Sequence, residues 1–589
     1  MEPAEKTWGI TKPISSAHPT PAETHSTSLL LEELRRQNTF ETASETKKRE
    51  KVLDDLQRIA DEFVRKVARA KEPHNDVLIR DARGEVFTYG SYCLGVYGPG
   101  SDIDTLVTAP RYVTREDYFK YFPDLLTEMA PPGAITGLTA VEEAFVPIIK
   151  FEYWGISIDL IFSRIATLTQ FPPHKQLQLT SNEFLRGLDD RELRSLNGTR
   201  VTKEILNLVP EQSTFRTALR AIKLWAQRRA IYANIIGFPG GVVWAMMVAR
   251  VCQLYPKATS ATIVAKFFLV MKGWPWPIPV QLKHMEDGPL NVRVWNPKIY
   301  KSDSYHLMPV ITPAYPQMCA TFNITQSTKT IIQRELERGV ELTDKILGNE
   351  RPWKDLFSKH TFFTRDHKYY LAVIASSTTK EAHKIWSGFV ESKVRILVGE
   401  LERHHSVALA RPFNKGSERQ HLTKTDEEST DIQNGSLLYV TKDEEDSVDA
   451  TVVKEEDDSD ASASASASTQ NGAQAKRMYT ATFYIGLELA EGAKSLDLSY
   501  QVNAFKQMCS EWEKYSAELN CLSVQHVRNL NLPDDVFEPG EAKPTRPLKK
   551  PATNGTAPVP QRKRNAPTEG HPSPPTAKRQ QSSAAAAAG

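Results

Sequence analysis

The stretch Tyr89-Gly90-Ser91 … Gly98-Pro99-Gly100-Ser101-Asp102-Ile103-Asp104 organises the chain. Two aspartates follow Ser91 by eleven and thirteen residues, with one apolar residue between them. In an extended strand residues i and i+2 share a face. Asp102 and Asp104 would therefore aim two carboxylates at one point while Ile103 anchors the other face in a core. Like charges that close are costly unless a cation lies between them. Hard oxygen donors suit Mg²⁺, which binds a few carboxylates together with substrate phosphates. The Gly-Ser pair upstream lets backbone N–H groups approach a phosphate. A phosphate cradle beside a metal-binding pair implies phosphoryl or nucleotidyl transfer. An isolated Asp-x-Asp is more often a solvated turn or cap; here the apolar run Leu106-Val107 behind it favours a strand.

With 589 residues the chain is too long for one core, and three domains with tails are expected. Its 74 basic and 72 acidic residues nearly cancel, so nucleic-acid binding must rest on local patches. The five cysteines are scattered and form no CxxC pair, which argues against a disulfide framework or zinc site and fits a reducing compartment. No signal-like apolar segment opens the chain. The run Val242 to Ala249 is about half of the ~20 residues a membrane span needs, so it reads as a buried helix. No membrane association is expected.

Residues 1–25 read as an extended polar segment, followed by helical periodicity from about Ser28 to Ala70. Beyond the opening motif, Ala144 to Phe151 and Gly155 to Phe162 read as strands. In the second of these Asp159 interrupts an apolar run, where a carboxylate should be paired or metal-bound. That supplies a third candidate ligand. From about Thr202 to Asn349 helical signals dominate, with Lys223 at the border of the stripe Phe215, Leu219, Ile222 and Trp225. From about Phe362 the order becomes βαβ twice over, the layout of ferredoxin-like and RNA-recognition domains, without a clear aromatic RNP1 run. The acidic and Ala-Ser-rich segment between its halves reads as disordered. The tail carries Lys549-Lys550, Arg562-Lys563-Arg564 and Lys578-Arg579, basic clusters that read as a nuclear import signal.

Several stretches together carry a family resemblance: Tyr89-Gly90-Ser91 through Leu106, Phe145 to Lys150, Ser157-Ile158-Asp159-Leu160, Leu196 to Arg200, Arg220 to Arg229, Ile231 to Val242, His306 to Pro316 and Val390 to Val398. On these the chain resembles the eukaryotic nuclear poly(A) polymerases of the fungal type, within the polymerase-β-like nucleotidyltransferases. The resemblance spans about residues 5 to 540. It implies an α+β multidomain protein, with an extended segment 1–25, a nucleotidyltransferase palm with N-terminal helices at 26–201 and a helical middle domain at 202–355. An RNA-recognition-like (ferredoxin-like) C-terminal domain would follow at 356–537, holding a disordered acidic insertion at about 416–476, and then a disordered basic tail at 538–589.

The activity implied is template-independent transfer of AMP from ATP to RNA 3′ ends, as in pre-mRNA polyadenylation, by a two-metal mechanism. Two Mg²⁺ ions are expected, with Mn²⁺ able to substitute, and Asp102, Asp104 and Asp159 match the catalytic, metal-binding carboxylates. Tyr89, Gly90, Ser91, Gly98, Asp102, Ile103, Asp104, Asp159, Lys223, Tyr232, Asn234, Gly241 and Val242 match the ATP site, with Asn197 and Arg200 as weaker matches. Tyr89 stands where the family usually has Phe. Phe145, Lys150, Asn323, Lys393 and Arg395 resemble RNA contacts. The implied setting is a nuclear monomer working with RNA ends, ATP and the cleavage and polyadenylation machinery. The alternatives are a related RNA nucleotidyltransferase with another nucleotide or RNA preference, and an inactive RNA-binding scaffold; the presence of all three aspartates speaks against the second.

Overall fold

A computed structural model describes residues 7–173, 176–288, 290–441, 475–493 and 495–545. Two helices lead, α1 (Pro21–Arg36) and α2 (Ala43–Lys71), each opened by a capping box, Thr20 with Glu23 and Thr42 with Glu45. The segment expected to be extended to residue 25 thus turns helical at Pro21. A Thr whose hydroxyl takes the N3 amide, with Pro at N1 and Glu at N3, is a start signal that outweighs the polar composition around it. After α3 (Asp76–Asp81), β1 (Glu85–Thr88) runs into the short α4 (Gly90–Leu94), followed by β2 (Ile103–Pro110), α5 (Arg115–Met129), β3 (Ile135–Val141), β4 (Ile148–Tyr153) and β5 (Ile156–Ile165). Ala144 to Val146 stays outside β4, which begins only after Pro147, a residue with no N–H for a ladder.

These strands form one sheet in the order β1-β2-β5-β4-β3, with β2 and β5 parallel and the other neighbours antiparallel. α2 and α5 close one face. Phe63 meets Tyr118, Phe122 and Phe162 edge-on, and Tyr118 stacks on Phe162 with ring centres 5.0 Å apart. All four rings are buried, each contributing roughly 1.5–3 kcal/mol for its apolar surface.

The middle of the chain is helical: α6 (Asp190–Leu208), α7 (Gln212–Arg228), α8 (Gly241–Leu254), α9 (Ser260–Lys272) and α10 (Gln326–Leu347). One helix, α6, runs through the boundary expected at 201/202. α8 is buried almost all round, which explains its unbroken apolar run; Trp244 packs there with Trp225, Phe267 and Phe268. Leu30 and Leu34 of α1 join this core rather than that of the sheet. Among the described residues no helix is long and apolar enough to cross a membrane.

The third part holds β6 (Tyr369–Ser377), α11 (Lys380–Leu401), β7 (Val407–Pro412), β8 (Ser417–Thr423), α12 (Asp426–Gln433), β9 (Lys476–Leu489), α13 (Ser499–Ser510) and β10 (Asn520–Arg528). The antiparallel order β10-β6-β9-β7, with helices following β6 and β9, is the double βαβ arrangement expected. Its polar insertion is not uniformly unstructured. β8 pairs with the first half of β9 from Ser417 opposite Thr482 to Thr423 opposite Lys476, and α12 follows under a Thr425–Glu428 capping box. Arg419, His421 and Thr423 are polar yet buried, bonded to Asp535, Thr480 and the turn at Thr425 with only the His421 Nδ1 left without a partner, so composition alone misjudged this stretch. The acidic runs at Asp443–Asp446 and Lys454–Asp458, the Ala-Ser repeat and the basic clusters of the tail lie outside the described residues.

Candidate active site

The parallel pair of strands supplies the floor. β2 sets Asp104 opposite Asp159 of β5, and on the other side of β5 the antiparallel β4 sets Lys150 opposite the same aspartate. Asp102 stands just ahead of β2. Carboxylate oxygens of Asp102, Asp104 and Asp159 all lie within 4.8 Å of one another, Asp102 exposed and the other two half-buried. Burial, together with the charges of Asp102 and Asp159, pushes the Asp104 carboxyl up to about 7, against the pull of Lys150 and Lys223. The Lys150 ammonium donates to both oxygens of Asp159, at 2.7 and 3.0 Å. Three converging hard oxygen donors, one of them forced toward its protonated form by the others, are a set that a divalent cation relieves. The residues fit such an ion.

The cradle beside them is built from backbone. Tyr89 N donates to Asp104 O at 3.0 Å, locking the start of α4 to β2. Gly90 has φ +61°, and a Cβ there would fall 2.1 Å from Asp104 Oδ2. Only glycine lets the phosphate-side loop and the carboxylate share this space.

Between the sheet and the middle helices lies a cavity of about 990 Å³. Tyr89, Gly90, Ser91, Asp102 and Asp104 line one wall; Lys223, Tyr232, Gly241 and Val242 line the other. Burial lowers the Lys223 pKa while the Asp102 charge opposes that shift. Burial, with Asp102 and Asp104 nearby, raises the Tyr232 phenol to about 12, so it stays a neutral hydrogen-bond donor. The Tyr89 phenol is also raised, by burial and the three aspartates.

Other expected positions fall elsewhere. Ile103 faces the core, fully buried. Gly98 packs on Thr39, whose carbonyl oxygen would lie 2.9 Å from a Cβ, and is absent from the cavity wall. Asn234 begins a short turn, Asn234–Ile236, beside the wall and not on it. Asn323 is buried, its Nδ2 donating to Asn234 O at 3.0 Å while its Oδ1 has no partner, so it braces that turn from within. Arg200 is buried as well; it donates to the carbonyls of Leu179, Thr180 and Tyr315 and to the side chains of Asn182 and Asn197, fastening α6 to two loops. Phe145 is 74% exposed, its ring covered on one side by the Arg194 guanidinium at 3.8 Å. Lys393 and Arg395 sit on α11 away from the cavity, Lys393 over the Phe389 ring at 4.9 Å.

Sequence reading missed Arg194, Thr202, Gln227, Thr312 and Met318 on the cavity wall. Gln227 was reachable, since it follows Lys223 by one helical turn and shares its face. Thr312 falls inside the His306 to Pro316 stretch that carries the resemblance, without a local pattern to single it out, and Met318 lies just beyond that stretch.

Three acids clustered at a mixed sheet, beside a cleft of nucleotide size, define a nucleotidyltransferase-type centre, and comparison with known proteins agrees. Family models match end to end: the poly(A) polymerase nucleotidyltransferase domain at residues 9–209, the poly(A) polymerase central domain at 214–359 and the poly(A) polymerase predicted RNA binding domain at 361–546. The chain is 50% identical to poly(A) polymerase pla1 of Schizosaccharomyces pombe over 94% of its length and 97% of that protein's. It is 45% identical to poly(A) polymerase PAPa of Candida albicans, over 92% of its length and 94% of the relative's. The chain belongs to the poly(A) polymerase family. Among solved structures, one of the Cid1 poly(U) polymerase covers 57% of this chain and 99% of its own at 14% identity, with a TM-score of 0.38, too slight a likeness to bear on substrate.

Proposed function

We infer that this protein adds AMP from ATP to the 3′ end of RNA without a template. The reading is carried by one juxtaposition: three carboxylates lie within 4.8 Å of one another, and two of them, Asp102 and Asp104, face Lys223 and Tyr232 across a nucleotide-sized cavity. Asp102, Asp104 and Asp159 would hold divalent cations, Mg²⁺ or Mn²⁺, whose chemistry would be to lower the pKa of the primer's 3′-hydroxyl and to offset charge on the departing pyrophosphate. The chain itself supplies position and charge. The backbone from Tyr89 to Ser91 receives the triphosphate, and the Lys223 ammonium and the Tyr232 hydroxyl donate to its oxygens from the opposite wall. No protein nucleophile is required, because the attacking group is the RNA's own hydroxyl. Lys150, held on Asp159, and Phe145, exposed at the rim with Arg194 behind it, suit the last nucleotide of the primer, an aromatic face and a cation being the usual pair for single strands. The basic clusters of the tail support a nuclear site of action.

The test is incorporation of each of the four nucleoside triphosphates onto an unstructured RNA primer with Mg²⁺ or Mn²⁺. ATP should be incorporated in strong preference, and Asp102→Ala should abolish incorporation while sparing primer binding. Equal use of another triphosphate would overturn the substrate assignment, and activity retained by Asp102→Ala would overturn the metal assignment.

A further inference from the structure

We propose that Arg220 is a positioning residue that sets the separation between the Lys223 ammonium and the three carboxylates. This rests on the function inferred above. Arg220 lies on α7 three residues before Lys223, so the two side chains leave the same face one turn apart. Its guanidinium reaches three backbone carbonyls: Nη1 donates to Tyr97 O at 2.6 Å and to Thr39 O at 2.5 Å, and Nη2 donates to Gly95 O at 3.0 Å. It also lies 4.5 Å over the Phe40 ring. One turn earlier, Arg216 Nε donates to Leu94 O at 3.0 Å.

These contacts join three bodies. Gly95 and Tyr97 belong to the loop that ends at Asp102, and α7 belongs to the helical core. Thr39 and Phe40 link α1, whose Leu30 and Leu34 sit in the helical core, to α2, which packs on the sheet. Gly98, expected at the ATP site, has its place here: a side chain there would strike Thr39 O and pry the junction apart. Among the described residues no carboxylate forms an ion pair with Arg220, so its charge is spent on oriented carbonyl dipoles. A planar guanidinium can span three acceptors set around a fork. A lysine ammonium, a point donor, cannot hold all three in the same geometry. The phosphate-binding cation and the metal-binding acids are thus referenced to one another through one helical turn on one side and the short loop from Gly95 to Asp102 on the other.

The experiment uses the full-length protein, with steady-state kinetics for ATP, primer affinity measured without ATP, and melting temperature, for Arg220→Lys, Arg220→Ala and Phe40→Leu. Arg220→Lys should lower kcat/KM for ATP by about ten- to a hundredfold, the range that a misplacement of about an ångström produces. Primer affinity should stay unchanged and melting temperature should fall only slightly, as the lost hydrogen bonds require, and Phe40→Leu should have a smaller effect in the same direction. Millimolar guanidinium should restore part of the activity of Arg220→Ala and none of that of Lys223→Ala. Wild-type kinetics in Arg220→Lys and Arg220→Ala would overturn the proposal, as would a loss that tracks melting temperature or falls equally on primer affinity. Failure of the wild-type protein itself to incorporate ATP would instead overturn the function on which the proposal rests.

Discussion

Asp104 is held where water can least stabilise its charge and where two other carboxylates repel it. Its carboxyl, raised to about 7 from an ordinary value of 3.8, makes folding take up a proton between those limits. Stability is therefore fully present below about pH 4 as far as this group is concerned, and is lost as pH climbs through 7. Asp104→Asn should remove that cost, on the order of a few kcal/mol. Measured in chelator, the variant should melt higher than the wild type at pH 8, by a margin that shrinks at pH 5, while AMP incorporation falls to background. A lower melting point at pH 8 would mean that the three acids are not in mutual strain. Of the residues in this centre, the aspartates were legible because strand alternation and a buried acid leave marks in a short window. Asn323 and Arg200, expected at the site, brace turns outside it instead, and that role was not legible because their partners are chiefly main-chain carbonyls brought close only by folding.

Among the elements, the end of α7 and α10 decide how the third domain is carried. Arg229 Nε and Nη2 donate to both oxygens of Glu335 at 2.8 and 2.9 Å, with both residues buried, and Arg229 O in turn accepts from Arg411 of β7. Glu402, which caps the end of α11, takes the first two free amides of α10, and Ser327 Oγ accepts from Ala410 N. Removing one partner from a buried pair leaves the other charge unpaired, which usually costs about 3–5 kcal/mol. Glu335→Ala should lose that much in urea denaturation, and a loss below ~1 kcal/mol would show that the pair is dispensable. Periodicity found the long elements here, for β6, α11 and β9 fall in the two βαβ units expected from about Phe362 onward. It missed β8 because its buried side chains are Arg, His and Thr, which look like solvent residues until Asp535 and Thr480 are brought to them, and it missed α12 because that short helix buries a single apolar residue, Ile432. The α1 start was hidden in a Pro-, Ser- and Thr-rich context, although Thr20-Pro21-Ala22-Glu23 spells out a cap.

For the molecule as a whole, two buried histidines lie where the helical core meets the last domain. Burial, with Arg411 close by, lowers both His360 and His367 to about 4, and neither ring nitrogen of His367 has a partner. A histidine whose pKa is depressed on folding contributes stability above about 6.5 that is lost as pH falls toward 4. The melting temperature should accordingly drop between pH 7.5 and pH 5, and His367→Phe should narrow that drop; an equal drop in the variant would assign the sensitivity elsewhere. The floor of the cleft has a different kind of asymmetry. Asp104 and Asp159 are neighbours on parallel strands, so their spacing is fixed by a hydrogen-bonded ladder, whereas Asp102 precedes the strand on a loop held at Gly95 and Tyr97. The grip on a cation thus has a rigid jaw and a movable one. Were ions of different radius bound in turn, Asp102 would have the most room to adjust, up to where Arg220 takes hold of the loop.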